Sequence, residues 1–273
     1  MFGWPGALER LRERPARLAW LLPFLWRAHR ELLRRGPFDR AIAHFLVPCG
    51  LPLGLVVRAG EIEVVAHGSD VRLIRRVPRP LRTWGLRALL RRGARLRFVS
   101  HRLRAELCEG LDAGLAEVIL RRSRIEPAPI DLPDVRDVRE RAKELRAALT
   151  LGPQERLWVV CGRLVRAKRI DRAIALARDH QVRLVVVGDG PLRPELEAFA
   201  QRIGAPVSFV GRRPREEALA WIAAADCLLQ PSEAEGAPTV VREARCLGTP
   251  VLSTPMGDVP HWAETDGGIT LWR

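Results

Sequence analysis

Apolar and polar positions along this chain follow two periods, and the second half is the more regular. Aliphatic runs occur at 156–164 (RLWVVCGRL), 183–191 (RLVVVGDGP), 207–211 (VSFVG), 227–232 (CLLQPS) and 250–255 (PVLSTP), and each stops at a glycine, proline or serine. Between them, residues 169–179, 191–203, 214–225 and 238–247 repeat apolar positions at helical spacing. Continuous apolar strands are buried on both faces, as in parallel sheets. Their alternation with helices predicts a doubly wound α/β domain. Ligands of such sheets bind at the carboxyl ends of strands, which is where Gly162, Gly188, Gly190 and Gly211 fall.

The first half is less tidy. Residues 6–35 pattern as an amphipathic helix, and 38–50 as a strand followed by a turn. Residues 62–70 read as a second strand that ends at His67-Gly68. A helix over 80–92, a strand over 95–100, a helix over 101–110 and a short strand at 117–120 (EVIL) follow. Residues 125–134 are proline-rich and extended, and the charged segment after them is helical. Patterning pauses near 127–135, which predicts two domains, 1–130 and 131–273.

Composition alters this picture in one respect. The formal charge of the 273-residue chain is +14, and the basic residues are almost all arginine, with lysine only at Lys143 and Lys168. The arginines are spread along the whole length, and no recognised nucleic-acid-binding pattern accompanies them, so a nucleic-acid partner is not expected. The five cysteines, Cys49, Cys108, Cys161, Cys227 and Cys246, form no CxxC pair and predict reduced, mostly buried thiols in the cytoplasm. The opening residues carry charge where a secretory signal has its apolar core. Residues 17–26 are too short to span a bilayer. They fit a buried helix face or, with Trp20, Trp26 and flanking arginines, an anionic membrane surface.

The candidate chemistry lies at 232–250 (SEAEGAPTVVREARCLGTP), where Glu235 and Glu243 flank a Gly-Ala-Pro step. Pro238 suits the first turn of a helix. Eight helical positions span about 12 Å, whereas two carboxylates acting on one glycosidic bond lie about 5–9.5 Å apart. The pair is thus spaced to hold separate parts of one ligand, with a helix N-terminus between them that suits a phosphate. Arg163 and Lys168 follow directly after a strand and offer a guanidinium fork and a point charge to the same group.

Taken together, GRLVRAKRID, VVVGDGPLRPELE, VSFVGRRPREEALAWIAAADCLLQPS and SEAEGAPTVVREARCLGTPVLST resemble successive blocks of the family 4 retaining glycosyltransferases. FDRAIAHFLVPCG, VVAHGSDV and RFVSHRLRAEL are similar to its N-terminal segments. The resemblance implies a GT-B fold, two Rossmann-like domains facing across a cleft, acting on a nucleotide-sugar donor with no cofactor and no essential metal. In agreement, the sequence has no D-x-D motif. By the same resemblance Arg163 and Lys168, beside Gly162, neutralise the donor pyrophosphate. Glu243 accepts from the ribose hydroxyls, and Glu235 lies by the donor sugar. Gly236 and Ala237 give backbone amides, Val210 contacts the base through its backbone, and His67 aligns the sugar. The implied reaction is retaining hexosyl transfer to a glycan or lipid-linked acceptor, in cell-envelope or exopolysaccharide synthesis at the inner face of the membrane.

The sequence departs from the family pattern in two places. No strand and glycine loop precede residue 38, and the family's Pro-Asn-Gly turn reads Pro127-Ala128-Pro129. The expectation is a chain truncated at both ends, with an incomplete N-terminal domain and a C-terminal domain lacking its last helices. Other readings are a non-catalytic fragment that retains nucleotide binding and an arginine-rich polyanion binder. A dinucleotide dehydrogenase is disfavoured, because GDGPLRP lacks the third glycine of that fingerprint.

Overall fold

The computed structural model describes residues 19–272 except Pro153. The chain divides at Pro127 into two compact units, Met1–Pro127 and Ala128–Arg273. Each is an α/β unit built on one parallel sheet.

In the C-terminal unit the elements run α6 (Val135–Ala148), β5 (Leu157–Cys161), α7 (Ile170–Asp179), β6 (Arg183–Val187), α8 (Arg193–Arg202), β7 (Val207–Gly211) and α9 (Arg215–Ala224). They continue through β8 (Cys227–Gln230), α10 (Thr239–Leu247), β9 (Val251–Ser253), α11 (Val259–Thr265) and β10 (Ile269–Leu271). The sheet order is β10-β9-β8-β5-β6-β7, all parallel. Successive strand residues point to opposite faces, and two cores result. Val159, Val185, Val187 and Leu228 pack with α6, α9 and α10. Val160, Leu184, Val186 and Leu229 pack with α7 and α8. Helices cover both faces, which is why these strands read as unbroken apolar runs. The chain leaves β5 in one direction through β6 and β7, then returns to place β8 on its other side. That reversal opens a crevice at the carboxyl ends of β5 and β8.

In the N-terminal unit, α1 (Leu21–Arg35) and β1 (Phe38–His44) are followed by β2 (Ala59–Ala66), α2 (Ser69–Arg75), α3 (Arg79–Arg91) and β3 (Arg95–Phe98). The unit ends with α4 (His101–Cys108), α5 (Ala113–Arg121) and β4 (Ser123–Ile125). Its sheet runs β1-β2-β3-β4, all parallel. Ile62, Val64, Ala66, Leu96 and Phe98 share one buried face. The opposite face carries Arg40, Glu61, Glu63, Arg97 and Arg124.

Several expectations are corrected. The segment 117–120 is not a strand but part of α5. Asp112 caps that helix by accepting from the Leu115 amide at 3.0 Å, and the apolar residues Leu115 and Ile119 lie one turn apart and buried. The helix α2 was not expected; it follows directly on β2. The described part of the 6–35 helix is α1, and residues 6–18 lie outside the described residues. Trp20, Leu22 and Trp26 are exposed rather than buried, because among the described residues no element covers the stripe of α1 formed by Leu22, Trp26 and Leu33. The cysteines are free but less buried than expected. Four are partly exposed and Cys246 is exposed, since they occupy strand ends and helix rims rather than core centres.

Candidate functional site

The crevice at the carboxyl ends of β5 and β8 is a cavity of about 490 Å³, lined on one side by Cys161, Gly162, Arg163 and Lys168. Glu235, Ala237 and the start of α10 form another wall, and Glu243 and Arg215 a third. Of the residues singled out from sequence, it brings together Gly162, Arg163, Lys168, Glu235, Ala237 and Glu243, with Gly236 between two of them. Val210 is not among the lining residues and packs against the core. His67 belongs to the N-terminal unit.

The loops around the cavity are locked by backbone contacts that require glycine. The Gly162 amide donates to Val187 O at 2.9 Å and the Gly188 amide to Gly211 O at 2.8 Å. Gly188 has φ +138°, and a Cβ there would collide with the Gly162 carbonyl. Gly257, at φ +54°, lies against the Gly236 carbonyl in the same way, while the Asp258 amide donates to Gly236 O at 3.2 Å. From the other side, the Glu233 amide donates to Ala167 O at 3.0 Å. Beneath, the Thr254 hydroxyl donates to Ser232 O at 2.5 Å. The loop 232–238 is thus fixed at both flanks, and with it the direction of Glu235.

Charge is arranged in two opposed pairs. The Lys168 side chain passes over Gly162, and its Nζ meets Glu235 Oε1 at 2.6 Å. Glu243 is buried on α10, and its Oε1 forms an ion pair with Arg215 of α9 at 2.8 Å. A second nitrogen of Arg215 donates to Asp131 O at 2.8 Å. Arg215 was not singled out from sequence; one arginine among so many carries no local signal. Pro238 is the N-cap rather than the first helical residue, and the first-turn amides of α10 have no acceptor within the helix. Burial pushes the Cys161 thiol up to about 11; Glu243 adds to the rise and Lys168 opposes it.

In the N-terminal unit, His67 stands at the carboxyl end of β2 and His44 at that of β1. Nδ1 of His44 and Nε2 of His67 are 3.0 Å apart, and the rings stack at 5.3 Å. The buried Asp70 accepts from the amides of Leu46, His67 and Gly68 at 2.6, 3.0 and 2.8 Å, which sets the backbone under both rings. Burial holds the His67 pKa below its ordinary value; Asp70 raises it, while His44 and Arg97 lower it further. Among the described residues no cluster of three or more His, Cys, Asp or Glu side chains could hold a metal ion.

A cavity at the switch point, two cationic groups after β5 and a buried glutamate on the following α10 coincide with a match to the glycosyl transferases group 1 family over residues 141–268. The C-terminal unit belongs to the glycosyl transferases group 1 family. Across 228 residues the chain is 32% identical to TuaC of Bacillus subtilis (strain 168), named as a glycosyltransferase of teichuronic acid biosynthesis. That match covers 81% of this chain and 54% of TuaC, so the chain spans about half the length of this curated relative. Two solved structures share the fold. WaaG, a glycosyltransferase involved in lipopolysaccharide biosynthesis, aligns at TM-score 0.60 and 22% identity over 89% of this chain and 66% of its own. Anabaena Alr3699/HepE, in complex with UDP-glucose, aligns at TM-score 0.57 and 20% identity over 77% of this chain and 58% of its own. The group 1 match lies wholly within the unit that carries the cavity. No helix among the described residues is long and apolar enough to cross a membrane.

Proposed function

We propose that the C-terminal cavity binds the nucleoside diphosphate of a sugar donor. In this reading the chain serves a glycosyltransferase that moves a hexose, with retention, to a glycan or lipid-linked acceptor of the cell envelope. The observation that carries the reading is the meeting of Arg163, Lys168 and the α10 N-terminus in one cavity with the buried Glu243. The bond from the anomeric carbon to the diphosphate oxygen breaks as the acceptor hydroxyl oxygen bonds to that carbon from the same face; negative charge grows on the departing diphosphate, which takes the hydroxyl proton. Lys168 and Arg163 stabilise that charge, with help from the first-turn amides of α10. Glu243 holds the ribose hydroxyls through the oxygen that Arg215 leaves open. Glu235 and the backbone at Gly236 and Ala237 face the sugar.

The relatives support the setting. TuaC is named for teichuronic acid biosynthesis, and the HepE structure holds UDP-glucose. The exposed stripe of Leu22, Trp26 and Leu33 on α1, flanked by Arg27, Arg30, Arg34 and Arg35, supports peripheral contact with an anionic membrane at its cytoplasmic face. A second reading, nucleotide binding without transfer, draws on the fact that every residue lining the cavity lies in the C-terminal unit.

The test is a thermal-shift titration with UDP, GDP, ADP and their sugar conjugates, since a ligand of the folded state alone raises its stability. One nucleotide should shift the wild type and leave Glu243→Ala unmoved; no shift with any of them overturns the reading. Turnover of the matching sugar conjugate then separates transfer from binding alone.

A further inference from the structure

The polar face of the N-terminal sheet is organised around one buried carboxylate. Glu63 on β2 is 6% exposed, and its two oxygens are held from opposite sides. Arg40 on β1 donates to Oε2 at 2.5 Å and Arg124 on β4 to Oε1 at 2.7 Å. Arg97 on β3 closes a third side, with Nε 3.5 Å from Oε1. Arg40 and Arg124 remain about half exposed, at 49% and 52% of their side chains. A guanidinium carries five N–H groups in a rigid plane, so one bond to Glu63 fixes the plane of each and leaves further donors outside.

Those donors border a cavity of about 800 Å³ at the amino ends of the strands, the end of the sheet opposite His44 and His67. Arg95, Arg121 and Arg122 complete its basic wall. Arg122 is tied to Leu90 O at 2.7 Å and Arg121 lies 3.7 Å from Glu117. Arg95 meets no carboxylate among the described residues. The remaining acids are Glu61, 3.9 Å from Arg40, and Glu126, which pairs with Arg97 at 2.8 Å and Arg124 at 2.9 Å. In and around the cavity six guanidiniums stand with four carboxylates, a local excess of two positive charges, and Arg40, Arg122 and Arg124 are already held by hydrogen bonds.

We propose that this cavity is a second anion site, distinct from the one in the C-terminal unit, that takes a ligand bearing a phosphate dianion. Planar guanidiniums match phosphate oxygens in pairs. Arg40 and Arg124, held apart by Glu63, form two fixed walls, and Arg95 supplies the charge that Glu63 and Glu126 do not neutralise. Scattered surface arginines lack this arrangement, because nothing beneath them sets their planes.

Isothermal titration of the whole chain with pyrophosphate tests the proposal. The wild type should bind two equivalents. Arg95→Gln/Arg124→Gln should bind one, Lys168→Ala should bind the other, and their combination none. At the N-terminal site the double variant should lose about tenfold or more in affinity. Arg95→Gln alone, which breaks no contact, should weaken the same site in a chain with unchanged Tm. Arg76→Gln/Arg79→Gln, exposed arginines outside the cavity, should leave both sites intact. Displacement of pyrophosphate from this site by phosphatidic acid vesicles, whose headgroup is a phosphate monoester, assigns the phosphate to a lipid; no displacement assigns it to a soluble molecule. A wild type that saturates at one equivalent removed by Lys168→Ala overturns the proposal. So does equal loss of affinity in the Arg76/Arg79 control, which assigns binding to net charge. Absence of all pyrophosphate binding overturns both sites, whereas a wild type that saturates at one equivalent, kept in Lys168→Ala and lost in Arg95→Gln/Arg124→Gln, leaves this one standing without the donor site.

Discussion

Lys168 Nζ lies 2.6 Å from Glu235 Oε1, with Gly162 directly beneath the lysine chain. The cation assigned to a diphosphate thus already carries a carboxylate partner. An arriving diphosphate has to displace that partner, and the displaced Glu235 becomes free to turn to the sugar. Lys168→Ala should weaken a nucleoside diphosphate about 10- to 100-fold, the worth of one charge-assisted hydrogen bond. The matching nucleoside should bind nearly unchanged. Calorimetry with both ligands decides it; equal losses would place Lys168 away from the phosphates.

Arg215 pairs with one oxygen of Glu243, and the proposed reading gives the other to the ribose. In Glu243→Gln, discrimination between a ribonucleotide and its 2′,3′-dideoxy analogue should fall about tenfold or more. Arg215→Ala should erode that discrimination less, because it frees the carboxylate to rotate without removing it. A ratio of affinities unaltered by Glu243→Gln would move the ribose elsewhere.

Two positive-φ glycines give a graded test of the loops. Gly188→Ala drives a Cβ into the Gly162 carbonyl, whereas Gly204, at φ +64°, has open space around the same position. Urea unfolding should show a loss of about 1 kcal/mol for Gly204→Ala, from backbone strain alone. For Gly188→Ala the loss should exceed about 3 kcal/mol, since strain and collision add. Similar losses for the two would mean that the Gly162 loop yields easily.

Burial raises both Cys161 and Cys227 from 9.0 to about 11. A raised thiol keeps its proton in the folded chain while the unfolded chain gives it up. The stability involved is complete below pH 9 and declines between pH 9 and 11, by up to about 1.4 kcal/mol per pH unit for each thiol. Denaturation midpoints at pH 8, 9 and 10 should therefore fall more steeply for the wild type than for Cys161→Ala/Cys227→Ala. Parallel curves would count against the shift.

His67 titrates in the opposite direction. Its lowered pKa means that the unfolded chain takes up the proton first as pH drops, so stability present above pH 6.5 is lost below it. His67→Asn should flatten that acid limb. Imidazole NMR titration should show His67 protonating below 6.5, and His44→Ala should raise its midpoint by removing a neighbouring positive charge.

The C-terminal strands were legible because both their faces are buried, so each is an apolar run that stops at a turn. The N-terminal unit was less so. The segment 117–120 has strand-like composition, and only the Asp112 cap and the contacts of Leu115 and Ile119 decide for a helix. At the cavity, the motif residues could be placed from spacing because the loops bearing them follow directly on strands. Arg215 could not: it reaches Glu243 from another helix, and a pairing through space leaves no mark in local pattern. The same holds for Glu63, whose arginines come from three other strands.

The sheet order has a consequence for a chain still being made. Synthesis delivers β5, β6 and β7 first, with Gly162, Arg163 and Lys168 in place, while β8 and α10 come later and insert on the far side of β5. A nascent chain that has emerged only as far as Gly211 presents the cations without Glu235 or Glu243. A ligand that needs both the cations and Glu243 can assist folding only once Leu247 has left the ribosome, so the cavity is among the last features of the unit to exist.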